Sequence, residues 1–156
     1  MGTKAGVLLA FITVMALMGF VLMTGSGDAP LAPDPANQPL VALGRMVHAD
    51  HCARCHGATL AGEADWQTRR PDGTLPAPPH DASGHTWHHP DGLLLAITRD
   101  GSAAHAPPGV KTAMPGFAGT LSEREITAAI AFIKSTWPAD IRARQARTTA
   151  QAARTP

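Results

Sequence analysis

The sequence predicts an all-α protein: a small helical domain behind one N-terminal transmembrane helix. Three observations predict it. Residues Ala5 to Met23 form an uncharged apolar run, and apolar residues recur at helical spacing in three later segments. The third is Cys52-Ala53-Arg54-Cys55-His56, which contains the only two cysteines and directly follows the first periodic segment.

The N-terminal run spans 19 residues with a single hydroxyl. A helix of that length reaches about 28 Å, close to the roughly 30 Å hydrocarbon core of a bilayer. It exceeds the h-region of a secretory signal, and the residues after it offer no clean A-x-A site. An uncleaved anchor over residues 1–24 is therefore favoured over a signal. Lys4 precedes the run and Asp28 follows it. That charge bias puts the N-terminus in the cytoplasm and sends the remainder across the membrane. Residues 25–39 carry Pro30, Pro33, Pro35 and Pro39 among small polar residues, the composition of an extended spacer.

The folded part is expected over 40–138. Its first helix runs from Leu40 to His51, with Val41, Gly44, Val47 and His48 on one face. From Gly57 to Pro79 the periodicity disappears and prolines dominate, so a long ordered loop is expected. Pro90 to Arg99 reads as a short helix, with Asp91 at its positive end and Gly101 as its stop. A second loop, Ser102 to Thr120, contains Met114-Pro115-Gly116. The last well-defined helix starts at Leu121 or Ser122 and runs to Trp137. Ser122 and Glu125 make a capping box, and Ile126, Ala129, Ile130, Ile133 and Trp137 share one face. Pro138 ends it. Residues 139–156 are arginine-rich and are expected to extend as helix before fraying into a solvated tail. Docking of these arginines on an acidic partner or on anionic headgroups is the competing view.

Composition narrows the function. The net charge is only +1, which argues against a nucleic-acid partner. There is no tyrosine, and four phenylalanines with three tryptophans are a thin aromatic supply for a core. A buried cofactor would provide the missing apolar bulk. Two thiols three positions apart, followed at once by an imidazole, suit covalent capture of a haem. Each sulfur can add to one vinyl group while His56 ligates the iron. The same thiols suit a redox dithiol or half of a zinc site. The zinc site lacks a second cysteine pair, and the dithiol lacks a preceding strand. Outside the cytoplasm, thioether formation also keeps the two thiols from pairing with each other.

Taken together, Leu40 to Trp137 resembles the single-haem, class I cytochrome c family: helix, C-x-x-C-H, long loop, short helix, Met-Pro loop, capped helix. The resemblance implies a cytochrome c-like small helical haem domain with one covalently attached haem c. It implies Cys52 and Cys55 as the attachment points, His56 as proximal iron ligand and Met114 as distal ligand. The rival methionines lie in or beside the anchor, or, in the case of Met46, on the first helix. The family also crosses its first and last helices at a small residue packed on an aromatic, here Gly44 and Phe132. It orients the proximal imidazole with a proline carbonyl, for which Pro76 and Pro78 are both candidates.

Closure of both axial positions favours an electron carrier over a catalyst, and a thioether ligand raises the potential. The expected role is a carrier on the periplasmic side of a bacterial inner membrane. It would take single electrons from a quinol-oxidising complex or a dehydrogenase and pass them to a terminal oxidase. Gly84-His85-Thr86-Trp87-His88-His89-Pro90 supplies the alternatives: a haem enzyme or sensor with another ligand set, or copper handling by the cluster from His85 to His89. The plainer expectation is that Trp87 and one or two of these histidines bond the haem propionates.

Overall fold

The computed structural model describes residues 31–155, all helical or irregular with no strand among them. The expected anchor at 1–24 and the first part of the spacer, residues 25–30, lie outside the described residues. Among the described residues no helix is long and apolar enough to cross a membrane.

Helix α1 spans Gln38–Val47. It begins earlier than the proline-rich composition suggested, because Asn37 caps it by accepting the Leu40 N–H at 3.1 Å. Pro39, expected to close the spacer, lies in its first turn, where a missing N–H costs nothing. Leu40, Val41, Gly44 and Val47 are buried. One π-helical turn, His48–Cys52, follows, and α2, Ala53–His56, ends at Gly57. The predicted helix is thus widened where it meets the cysteines, as π turns often are beside functional groups.

Helix α3 spans Asp91–Asp100 behind the cap residue Pro90, and Gly101 closes it with φ +86°. Helix α4 spans Glu123–Ser135 and carries the complete capping box: Ser122 Oγ accepts the Glu125 N–H, and Glu125 accepts the Ser122 N–H. All five residues expected on its apolar face are buried, Trp137 included.

Helices α1 and α4 cross at Gly44. A Cβ built there would stand 1.9 Å from the Ala128 carbonyl oxygen and 2.9 Å from Phe132 Cβ. Only a glycine permits that approach. Leu40, Val41, Leu60, Leu94, Ile130, Phe132, Ile133 and Trp137 form the main apolar cluster around the crossing.

Residues 139–152 take up the helical extension expected of them, and that helix packs on the domain rather than standing free in solvent. They form α5, Ala139–Ala152, which lies against the short 3-10 turn Thr86–His88. Gln145 is completely buried, and its Nε2 donates to Asp91 Oδ1 at 2.7 Å and to the His89 carbonyl at 3.2 Å. Asp91 also accepts from Lys134 Nζ at 2.7 Å, with those two side chains 18% and 9% exposed. One carboxylate therefore joins α3, α4 and α5.

Candidate haem site

Cys52 and Cys55 lie on successive turns of the chain leaving α1, so helical rise brings both sulfurs to one side. They line a cavity of about 390 Å³ together with His56 and Met114. All four candidate residues thus reach one space. Its walls are apolar, with Leu94 and Ile97 from α3, Ala129, Ile130 and Ile133 from α4, and Phe117. Arg54, Glu63 and Arg70 stand among its polar lining.

His56 is buried. Its Nδ1 lies 2.9 Å from the Pro78 carbonyl oxygen, which decides between the two candidate prolines. A carbonyl only accepts, so Nδ1 carries the proton and Nε2 keeps its lone pair. Burial pushes the imidazole below its ordinary pKa, against a smaller upward pull from the Pro78 hydrogen bond. The ring is held neutral, the form that ligates a metal. Burial, followed by the neighbouring Cys55, pushes the Cys52 thiol up to about 11.

The loop after His56 is ordered by local bonds rather than by a helix. His56 O accepts from Gly62 N at 2.8 Å, and Leu60 O accepts from His80 N at 2.8 Å. Glu63 Oε2 accepts from Ala77 N at 2.6 Å, while Arg70 Nη2 holds both carboxylate oxygens at 2.7 and 2.8 Å. Gly62, at φ +68°, lets the backbone pass the Pro78 carbonyl carbon, to which a Cβ would come within 2.6 Å. These contacts deliver the Pro78 oxygen to His56.

Met114 sits on a loop stitched to the end of α3. Ser102 N donates to Met114 O at 3.2 Å, and Phe117 N donates to Thr98 O and Arg99 O at 3.1 and 3.0 Å. Gly101 and Gly116 make the close approach possible, since a Cβ on Gly116 would meet Asp100 C at 2.7 Å and Arg99 O at 2.8 Å. Met46, the other methionine of the described residues, is 59% exposed and absent from the cavity.

Two features were not foreseen, and a third, His48, lies buried on the helix face where its spacing put it. It packs on Phe132, with ring centroids 5.5 Å apart. His80 lines the cavity and stacks on His56 at 3.9 Å, and burial holds it well below the ordinary histidine range. Thr112 Oγ1 is buried, lines the cavity and has no partner among the described residues. Sequence carried little signal for these beyond Thr112's place near Met114 and His80's beside Pro78.

The histidine-rich segment divides between two faces. His85 and His89 line the cavity, but Trp87, also expected there, turns away and lies under the Arg144 guanidinium at 4.8 Å. Among the described residues, no group of three or more His, Cys, Asp or Glu side chains is gathered to hold a metal ion.

The residues present suit a flat apolar macrocycle with carboxylate arms. Aliphatic side chains wall the space, paired thiols and a neutral imidazole stand at one edge, and Thr112 keeps a spare donor. A family model for cytochrome C oxidase, cbb3-type, subunit III matches residues 39–133, more than half of the chain. The chain belongs to that family. It is a single-haem c-type cytochrome, and its cofactor is covalently bound haem c. The cytochrome c domain supports an electron-transfer role through haem c. Searches of curated proteins and of solved structures return no match.

Proposed function

We propose that this cytochrome is a membrane-tethered carrier of single electrons with His56 and Met114 as its axial pair. Cys52 and Cys55 would hold the haem c through thioethers at the edge of a cavity walled by Ala129, Ile130 and Ile133 of α4. His56 presents Nε2 to the iron while Pro78 fixes its tautomer. Met114 approaches from the loop at the end of α3. Bound haem c supplies a one-electron iron couple. The side chains then have two tasks: to keep both axial positions closed and to keep water from the cavity. Leu94, Ile97, Ile130 and Ile133 do the second.

The observation that carries this reading is the convergence of Cys52, Cys55, His56 and Met114 on one cavity, with the His56 Nδ1–Pro78 O bond already in place. The anchor reading of residues 1–24 places the haem domain on the periplasmic face of a bacterial inner membrane, with a cytoplasmic N-terminus. Its partners would belong to a respiratory chain: a quinol-oxidising complex or dehydrogenase as donor, a terminal oxidase as acceptor. Tethering raises the effective concentration of the carrier near such partners.

Replacement of Met114 by alanine tests the ligand set. The ferric protein should lose the weak sulfur-to-iron absorption near the red end of its spectrum, its potential should fall, and ferrous iron should bind carbon monoxide. An unchanged spectrum would assign the distal position to another side chain.

A further inference from the structure

On the side of the Thr86–His88 turn away from the haem cavity lies a second cavity, of about 310 Å³. Trp87 and His88 form one side, and Arg144, Arg147, Thr148 and Gln151 of α5 form the other. The four helix positions follow at i, i+3, i+4 and i+7, so they share one face. No carboxylate lines the space. Neither arginine makes an ion pair among the described residues, although Asp140 stands one turn before Arg144.

The cationic groups are arranged, not merely numerous. Arg144 lies over the Trp87 ring at 4.8 Å, and Trp87 in turn stacks on His88 at 3.7 Å. Stacking holds the guanidinium plane while leaving its N–H edge free, which suits a planar fork for an oxyanion. Arg147 is one turn along the same face. Two like charges at that spacing repel when nothing lies between them. The side-chain amide of Gln151 adds a donor, while the Thr148 hydroxyl donates to the Arg144 carbonyl at 3.3 Å. A carboxylate could satisfy one guanidinium. A phosphate group, with more oxygens and more charge, matches two guanidiniums and the Gln151 amide beside them.

We propose that this pocket binds a phosphate group, carried by a soluble phosphate compound or by a phospholipid headgroup. The site is independent of the haem ligands, so the ligand assignment can fail without affecting it. The test uses the full haem-loaded chain in lipid nanodiscs, with the side-chain Nε–H signals of Arg144 and Arg147 followed by NMR. In phosphatidylcholine discs, titration with inorganic phosphate at constant ionic strength should give a saturable shift of both signals if a soluble compound is the source. Discs containing phosphatidylglycerol should give the shift without added phosphate if a headgroup is the source.

Arg147→Gln should weaken the response at Arg144 roughly tenfold or more, as expected for loss of one charge-assisted bond. Arg154→Gln, just past the C-terminal end of α5 and outside the pocket, should leave it unchanged. The haem absorption spectrum verifies folding of each variant. No shift in either kind of disc would overturn the proposal. Equal weakening by Arg154→Gln would overturn it too, because a diffuse basic face would then account for the binding.

Discussion

His56 Nδ1 and the carbonyl oxygen of Pro78 stand 2.9 Å apart, joined across 22 residues of chain. A hydrogen bond at this position sets which imidazole nitrogen is bare and how the ring is turned. The donor is part of the haem motif, but the acceptor is a backbone atom whose place depends on the loop between. The Glu63–Arg70 pair and the Ala77 N–H hold that loop. The proximal side of the site is therefore only as well oriented as Glu63 makes it.

Removing the Glu63 carboxylate should loosen the proximal side without displacing haem. Glu63→Gln is expected to broaden the axial-ligand signature in electron paramagnetic resonance and to speed hydrogen exchange at Ala77 N–H. An unaltered signature together with unaltered exchange would show that the loop holds without it.

The same carboxylate makes a pH prediction. The Ala77 N–H, and after it Arg70, hold the Glu63 carboxyl below its ordinary value of 4.5. A depressed folded-state pKa adds stability that is complete above the unfolded value and disappears as pH falls through the folded one. The advantage of the wild-type chain over Glu63→Gln in urea melts should therefore shrink as pH drops below 4.5. A difference that stays constant through the acid range would remove Glu63 as the cause.

Gly44→Ala should be among the most damaging single changes outside the haem motif. The added methyl would meet the Ala128 carbonyl at 1.9 Å, so α1 and α4 must separate. Overpacking of this kind costs about 3 kcal/mol or more when backbone stands in the way. Denaturant unfolding of the haem-loaded chain measures it, and a loss below about 1 kcal/mol would mean that the crossing adapts.

Lys134→Met should leave Asp91 buried beside Gln145 without its cation. Breaking one side of such a pair costs about 3 kcal/mol, whereas removing both partners costs far less. The double change with Asp91→Leu should therefore recover much of the loss. Thermal melts of the four proteins in the cycle give the coupling, and simple additivity would argue against it.

Ser122→Ala is the mildest of these changes, at about 1 kcal/mol, because it removes one cap at an exposed helix end. Circular dichroism during urea unfolding is sufficient to detect it.

Much of this architecture could be read before the coordinates, wherever the determinants were local. The capping box at Ser122 and Glu125, the stop at Gly101 and the apolar face from Ile126 to Trp137 each fall within a few residues of the feature they specify. Three other features hid because their causes lie far apart in sequence. Helix α5 was expected, but its docking was not: it has no apolar stripe, and it is held through Gln145 and Asp91, 54 residues apart. Pro39 looked like spacer because its composition matches one, yet Asn37 supplies the cap that turns it into a helix start. His80 is a half-buried ring stacked on His56, a pair that no periodicity connects. His48 sits on the helix face its spacing predicted, and only its partner Phe132 was out of reach. Among the ligand candidates, the motif itself named Cys52, Cys55 and His56, while Met114 depended on its neighbours Pro115 and Gly116.

The Met114 loop is secured by main-chain atoms at the end of α3 and by two glycines, with no fastening through the methionine's own side chain. Position 114 thus behaves as a socket. On the proposed ligand set, histidine, lysine or a smaller residue placed there would enter the same cavity, leaving the scaffold as it stands. With Met114 as the proposed distal ligand, a graded set of potentials, and even an open sixth position for small gases, would lie one codon away.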